Sequence, residues 1–152
     1  MNDGPIGQMP VVLRLKRRAD FLRATRARNS AAAPGLVLQA RPLDETEQKQ
    51  LTRDVGGQQP SIGPPEIIRI GFTASRKVGN AVKRNRAKRR LRALADEVLR
   101  AHARPGMDYV LIARAATPDR AFDKLRGDMH SALKRVKCRR DEGTEGARKS
   151  PA

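Results

Sequence analysis

The sequence predicts helices packed against a small sheet, an α+β or α/β sandwich. Two patterns and the chain length lead there. Apolar residues alternate in short runs, as at residues 67–75 and 109–113, which is the period of a strand. Longer runs space them three and four apart, as at Phe122, Leu125, Met129, Leu133 and Val136, which is the period of a helix. The length, 152 residues, suits one domain.

In order along the chain, residues 18–26 read as a short helix anchored by Phe21 and Leu22. A strand follows at 35–40, with Leu36, Leu38 and Ala40 alternating against Val37, Gln39 and Arg41. From Arg41 to Glu66 the acids Asp44, Glu45, Glu47, Asp54 and Glu66 outnumber Arg41, Lys49 and Arg53. Seven Pro and Gly residues are interspersed, so about 42–65 reads as a flexible acidic insertion between two strands. The strand at 67–75 turns Ile68, Ile70, Phe72 and Ala74 to one side, and Arg69, Gly71, Thr73 and Ser75 to the other. Asn80 is placed to cap a helix running to about residue 101, with Ala87, Leu91, Leu94, Ala95 and Val98 on one face. After the strand at 109–113, Thr117 as cap and Pro118 at the first helical position predict the last helix. The order is helix, strand, strand, helix, strand, helix. Composition marks residues 1–12 and 140–152 as disordered, leaving 13–139 as the folded domain.

Charge narrows the function. Lys and Arg total 33 against 16 Asp and Glu, a formal charge of +17. No stretch approaches the roughly 18 apolar residues of a membrane-spanning helix, and residues 1–10 hold no secretory signal. Cys138 is the lone cysteine, which excludes a disulfide framework. With only His102 and His130 beside it, a protein zinc site is disfavoured too. Neither histidine sits in a setting that suggests acid–base work, and no Gly-rich phosphate loop is evident. A small, strongly basic domain of this kind calls for a polyanion, with nucleic acid first and an anionic membrane second.

The charge is also concentrated. Residues 76–92 carry nine Lys or Arg and no acid, and residues 14–28 carry seven against Asp20 alone. On the helix from Asn80, the residues Asn85, Lys88, Arg89 and Arg92 share a face away from the apolar one, with Arg86 and Arg90 beside them. Like charges four apart cost a helix roughly 0.2–0.5 kcal/mol per pair, and nothing in the segment relieves them. Arg suits phosphate because its planar fork can bond two oxygens at once.

The run from Ile68 to Arg92 resembles the signature of the bacterial ribonuclease P protein component family. That signature is a strand, a Lys-Val-Gly-Asn-Ala-Val turn (here residues 77–82) and an Arg-Asn-Arg helix start (here Arg84, Asn85 and Arg86). Asp20-Phe21 resembles the family's first-helix pair, and residues 108–114 its strand before the last helix. The resemblance spans about residues 13–136 apart from the acidic insertion, which is much longer than the family's hairpin loop.

The resemblance implies a two-layer α-β sandwich of the ribosomal protein S5 domain 2-like type. Its order is αβββαβα, with a left-handed βαβ crossover against the usual right-handed rule; the strand not read from the residues would lie between positions 35 and 71. It implies the protein subunit of an endoribonuclease that removes the 5′ leader of precursor tRNA, with catalysis residing in the RNA subunit. It implies no catalytic side chain, no cofactor bound by the protein alone, and Mg²⁺ in the holoenzyme. The RNA subunit would meet Lys77, Arg84, Asn85, Arg86, Lys88, Arg89 and Arg92, with Arg84 snorkelling from nearer the apolar face. The leader would lie in a cleft between the sheet and the first and last helices, against Phe21, Thr25, Gln39 and Thr73. The expected partners are ribonuclease P RNA and precursor tRNA, with no DNA, no membrane and no obligate protein partner. The expected location is the cytoplasm. The main alternative is a structural, ribosomal-type rRNA-binding protein, which would share the basic helix but need no leader cleft. A DNA-binding helix-turn-helix is disfavoured by the strand preceding the basic helix.

Overall fold

The computed structural model describes residues 10–56 and 66–138. The elements are β1 (Val11–Arg14), α1 (Arg18–Arg26), β2 (Ser30–Ala33), β3 (Leu36–Pro42), α2 (Glu45–Gly56), β4 (Ile67–Thr73), α3 (Ala81–Leu94), α4 (Arg100–His102), β5 (Met107–Ala113) and α5 (Phe122–Arg135). The strands form one mixed sheet in the order β1-β4-β5-β3-β2. β4 is parallel to both β1 and β5, while β3 is antiparallel to β5 and β2. Within this α+β architecture the order αβββαβα runs from α1 to α5 as expected. The additions are β1 before it and α2 inside it.

The two faces of the sheet are covered unequally. Tyr109, Leu111 and Ala113 of β5 join Leu36, Leu38, Ile68 and Ile70 beneath Ala87, Leu91 and Leu94 of α3 and Leu125, Met129 and Leu133 of α5. Val110 points the other way and meets Leu15 and Ala24, with Phe21 and Ile112 packed against them. So α3 and α5 share one face, and α1 lies on the other with α2 at one end of it. The expected cleft lined by both the first and the last helix is therefore not formed by one face of the sheet. At the C-terminal end of α5, Asn29 Nδ2, just before β2, donates to the Val136 carbonyl at 3.1 Å.

Several expectations are corrected. Val11 and Val12 are not part of a disordered end; they pair in parallel with Ile67 and Ile68 of β4. The unread strand is β2, before residue 35 rather than after it. Its Ser-Ala-Ala-Ala sequence has little strand character of its own. A two-residue Pro34-Gly35 hairpin forces it onto β3, with Ala33 opposite Leu36. The acidic insertion is not all loop, since α2 occupies residues 45–56. Asp44 and Glu47 cap it reciprocally: Asp44 Oδ1 accepts from Glu47 N at 2.7 Å and Glu47 Oε1 accepts from Asp44 N at 2.9 Å. Leu22 is exposed, and Asp20 and Ala24 are the buried positions of α1. The last helix starts at Phe122, because Thr117 is used elsewhere. Its buried hydroxyl donates to the Gly35 carbonyl at 2.6 Å and accepts from Arg114 N at 2.7 Å, locking the loop before α5 onto the β2–β3 hairpin. The expected tail at 140–152 lies outside the described residues, as do residues 1–9 and 57–65.

Candidate nucleic-acid interface

The basic helix is held firmly at its start. Ser75 Oγ accepts from Lys77 N at 3.3 Å, and Val78 is buried in the core. Gly79 has φ 143°, where a side chain is strained, and a Cβ there would lie 2.8 Å from Lys83 Cδ. Asn80 Oδ1 then accepts from Lys83 N at 3.0 Å, the cap expected from the sequence. From there the helix continues through a π-helical stretch, Ala95–Leu99, into α4 at His102. Ala87, Leu91, Leu94, Ala95 and Val98 are all buried, as the spacing predicts.

That packing leaves the cationic positions in two groups. Lys77, Asn85, Arg86, Arg89 and Arg92 are exposed, while Arg84 and Lys88 are half-buried. Arg84 Nη1 donates back to the Gly79 carbonyl at 3.1 Å, which ties it to the turn. Arg86 lies 3.8 Å from Asp119, both exposed. Arg92 and Arg14 lie over the Phe72 ring, 5.9 and 5.6 Å from its centroid, linking the helix to β1. Arg90 belongs to the fold instead. Its guanidinium donates to the carbonyls of Thr117 at 2.6 Å, Pro118 at 3.0 Å and Arg120 at 2.6 Å, clamping the loop before α5. Charge spacing alone could not separate Arg90 from Arg89; the loop that Arg90 holds decides it.

On the other face, Gln39 stands opposite Val110, which stands opposite Gly71. Paired residues share a side, so Gln39, Gly71 and Thr73 face α1. A Cβ on Gly71 would lie 2.5 Å from Phe21 Cε1, so the ring rests on bare backbone. Phe21 is half-buried there, packed yet still open to a partner. Thr25 is one helical turn on and exposed, its hydroxyl donating to the Phe21 carbonyl at 3.2 Å. The structure thus gathers Phe21, Thr25, Gln39 and Thr73 on one side of the sheet, and Thr73 leads through residues 74–80 into α3.

One end of this face is closed by an ion network that the sequence analysis did not identify. Asp108, fully buried, accepts from Arg69 at 2.7 and 2.9 Å and from Arg41 at 2.8 Å. Glu47 of α2 accepts from Arg41 at 2.6 Å and lies 3.7 Å from Arg23, which also donates to Asp20 at 2.7 Å. Burial alone would lower the Arg41 and Arg69 pKa values, but the carboxylates of Glu47 and Asp108 beside Arg41, and of Asp108 beside Arg69, outweigh it and raise both. Three Arg and three acids balance here. The available signal was the alternation of Arg41, Asp108 and Arg69 on strand positions that share one register row.

His102 and His130 are half-buried with ring centroids 5.1 Å apart. Cys138 is buried, and burial pushes its thiol pKa up. Among the described residues no group of three or more His, Cys, Asp and Glu converges as a ligand set for a metal. Among the described residues no helix is long and apolar enough to cross a membrane.

A mixed sheet carrying a cationic helix on one face and an aromatic-and-amide surface on the other defines an α+β RNA-binding protein. Known proteins make the class specific. The family model Ribonuclease P matches residues 9–137. Ribonuclease P protein components from Paramagnetospirillum magneticum and Ruegeria pomeroyi are each 46% identical over 123 residues, covering 81% and 80% of this chain and 81% and 84% of theirs. That of Caulobacter vibrioides is 41% identical over 138 residues, 90% of this chain and 80% of its own. The RNase P protein from Staphylococcus aureus superposes with a TM-score of 0.58 at 25% identity, over 83% of this chain and 90% of that one. That from Thermotoga maritima, at 24% identity, shares the fold with a TM-score of 0.58 over 80% and 96%. The chain belongs to the ribonuclease P protein family, and so to the protein part of an endoribonuclease that processes tRNA.

Proposed function

We propose that this chain binds the catalytic RNA of ribonuclease P through α3 and the single-stranded 5′ leader of precursor tRNA through the α1 face of the sheet. The observation that carries the first half is the set of exposed cations, Arg86, Arg89 and Arg92 on a helix with no internal acid and Lys77 in the turn before it. Asn85 adds a neutral donor and acceptor suited to a ribose hydroxyl or a phosphate-bound water. The second half is supported by a half-buried phenylalanine resting on Gly71 beside open amide and hydroxyl groups. Aromatic stacking of this kind grips unpaired bases without regard to sequence, at about 1–3 kcal/mol per base.

In this reading the RNA subunit carries the hydrolysis, and Mg²⁺ acts there. The protein's side chains bind and orient. Fixed cations on α3 offset phosphate charge where two polyanions meet, which lowers the Mg²⁺ the assembly needs. Phe21, Gln39 and Thr73 hold the leader, so the substrate is recognised on both sides of the scissile bond. Reconstitution tests it: purified chain, a bacterial ribonuclease P RNA, precursor tRNA, and Mg²⁺ too low for the RNA alone. Cleavage to the mature 5′ end that needs both components, and is impaired by Asn85→Ala/Arg86→Ala/Arg89→Ala, is the expected result. Absence of rescue overturns the reading.

A further inference from the structure

A cleft of about 770 Å³ opens between β1 and α1 on one side and α2 on the other. It lies within the range of small-ligand sites, roughly 300–1,000 Å³. Its α2 wall comes from the insertion, so it is separate from the surface around Gln39 and Thr73.

The two walls differ in chemistry. Lys16 and Arg17 are exposed on the α1 side, and neither has an acidic partner among the described residues. Gln50 and Asp54 stand on the α2 side, hydrogen-bonded to each other at 3.2 Å. Leu13 and Leu51, both half-buried, add apolar surface. Deeper cations are already spent on Asp108, Glu47 and Asp20, which leaves Lys16 and Arg17, with Arg14 over the Phe72 ring on the β1 side, as the charges open to an anion. Arg17 precedes Phe21 by one helical turn, and Arg17 O accepts from Phe21 N at 3.4 Å. A strand lying on Phe21 therefore reaches this cleft next.

We propose that the cleft takes one or two further unpaired nucleotides of the leader, with phosphates on Lys16 and Arg17 and a base edge on Gln50 and Asp54. Charge complementarity fixes that orientation, because the acidic wall repels phosphate and accepts hydrogen bonds from base amino groups. Cytosine, adenine and guanine carry such groups. Uracil has a single donor on that edge, N3–H, flanked by two carbonyl oxygens that face a carboxylate unfavourably. The insertion helix is thus a base-discriminating wall. The inference rests on the leader reading above.

The test uses the reconstituted holoenzyme and precursor tRNA with a randomised leader, and sequences the products at low conversion. The wild type is expected to disfavour uridine at one leader position by about tenfold. Asp54→Leu and Gln50→Leu each flatten that bias, and Lys16→Ala/Arg17→Ala weakens binding of long leaders whatever their sequence. Both α2 positions are exposed, so these substitutions keep the fold. If the wild type and Asp54→Leu profiles superimpose while long leaders still bind better than short ones, the cleft proposal falls alone. If Asp54→Leu tightens every RNA alike, α2 is an electrostatic screen and the proposal is overturned. If the wild type treats long and short leaders equally, the leader reading falls with it.

Discussion

Two neighbouring arginines on α3 should respond oppositely to substitution. Arg90→Met keeps the aliphatic stem and removes the guanidinium that bonds three carbonyls of the loop before α5. Hydrogen bonds from a charged donor contribute about 1.5–3 kcal/mol each. The three share one side chain and one loop, and Arg120 is half-buried so water can reach its carbonyl. Simple addition therefore overstates the loss, and about 3 kcal/mol is the expected destabilisation. For a domain of this size that is a fall in Tm of roughly 10 °C. Arg89 is exposed and holds no partner among the described residues. Arg89→Ala should shift stability by less than about 0.5 kcal/mol while lowering RNA affinity and reducing the salt slope of binding by about 1. Urea unfolding followed by circular dichroism, beside RNA titrations at several salt concentrations, reads both quantities. An Arg90→Met protein as stable as wild type, with the salt slope of Arg89→Ala, would refute the assignment of Arg90 to the fold.

Three further outcomes follow from the same contacts. Gly71→Ala drives a Cβ to 2.5 Å from the Phe21 ring; it should cost about 1–3 kcal/mol of stability and weaken leader binding, and adding Phe21→Ala should recover part of the stability but none of the binding, as seen by unfolding and by precursor titration. Asp108→Asn removes the fully buried carboxylate that Arg41 and Arg69 share, leaving Glu47 beside Arg41 and Asp20 at 3.6 Å from Arg69, so a loss of about 1–3 kcal/mol is expected, against little change for Asp96→Asn on the surface; equal melting of the two would contradict the network. The buried Cys138 thiol has a pKa raised by burial. An unfolded thiol ionises first as pH rises, so the folded protein keeps the full contribution below about pH 8.5 and loses it above. Cys138→Ala should remove that alkaline slope, and a thiol reagent at pH 8 should label the native protein far more slowly than the unfolded one.

What could be read from the sequence was whatever local pattern and burial agree upon. The span of α1, the Asn80 cap and the buried stripe of α3 follow from residue spacing, because the same side chains that favour the element also fill the core. The misreadings have tertiary causes. β2 is mostly alanine and becomes a strand only because Pro34-Gly35 returns it along β3, where Ala31 and Ala33 fill narrow space under α5. Gly35 shows how narrow: a Cβ there would collide with Leu125 and lie 2.5 Å from Asp128. β1 is four residues long, too short for its alternation to register. α2 carried a legible signal, Asp44 to Glu47 at capping-box spacing, masked by the prolines and glycines on either side. Thr117-Pro118 has the chemistry of a helix start, but a buried hydroxyl bonded to Gly35 outweighs it.

The candidate interface was legible in kind but not in membership, and the acids explain why. The partly or fully buried carboxylates hold particular arginines in the fold: Asp108 takes Arg41 and Arg69, Asp20 takes Arg23, and Asp128 takes Arg120 at 2.7 Å. At the surface, Glu97 of the π-helical stretch holds Arg126 of α5, and that contact keeps the Glu97 carboxyl below its usual range. Each such pair removes one cation from those a polyanion can meet. Part of the excess of +17 is therefore displayed by residues that the fold does not use, among them Lys77, Lys88 and Arg89 on one side and Lys16 and Arg17 on the other. These stand at opposite ends of a continuous path through Arg92, Phe72 and Arg14, where two guanidiniums lie over one ring. Phe72 thereby couples the helix assigned to the RNA subunit with the strand beside the leader cleft. Phe72→Leu should leave the core filled yet loosen both arginines, so that affinity for the RNA subunit and for long leaders falls together. A loss confined to one of them would show that the two surfaces act independently.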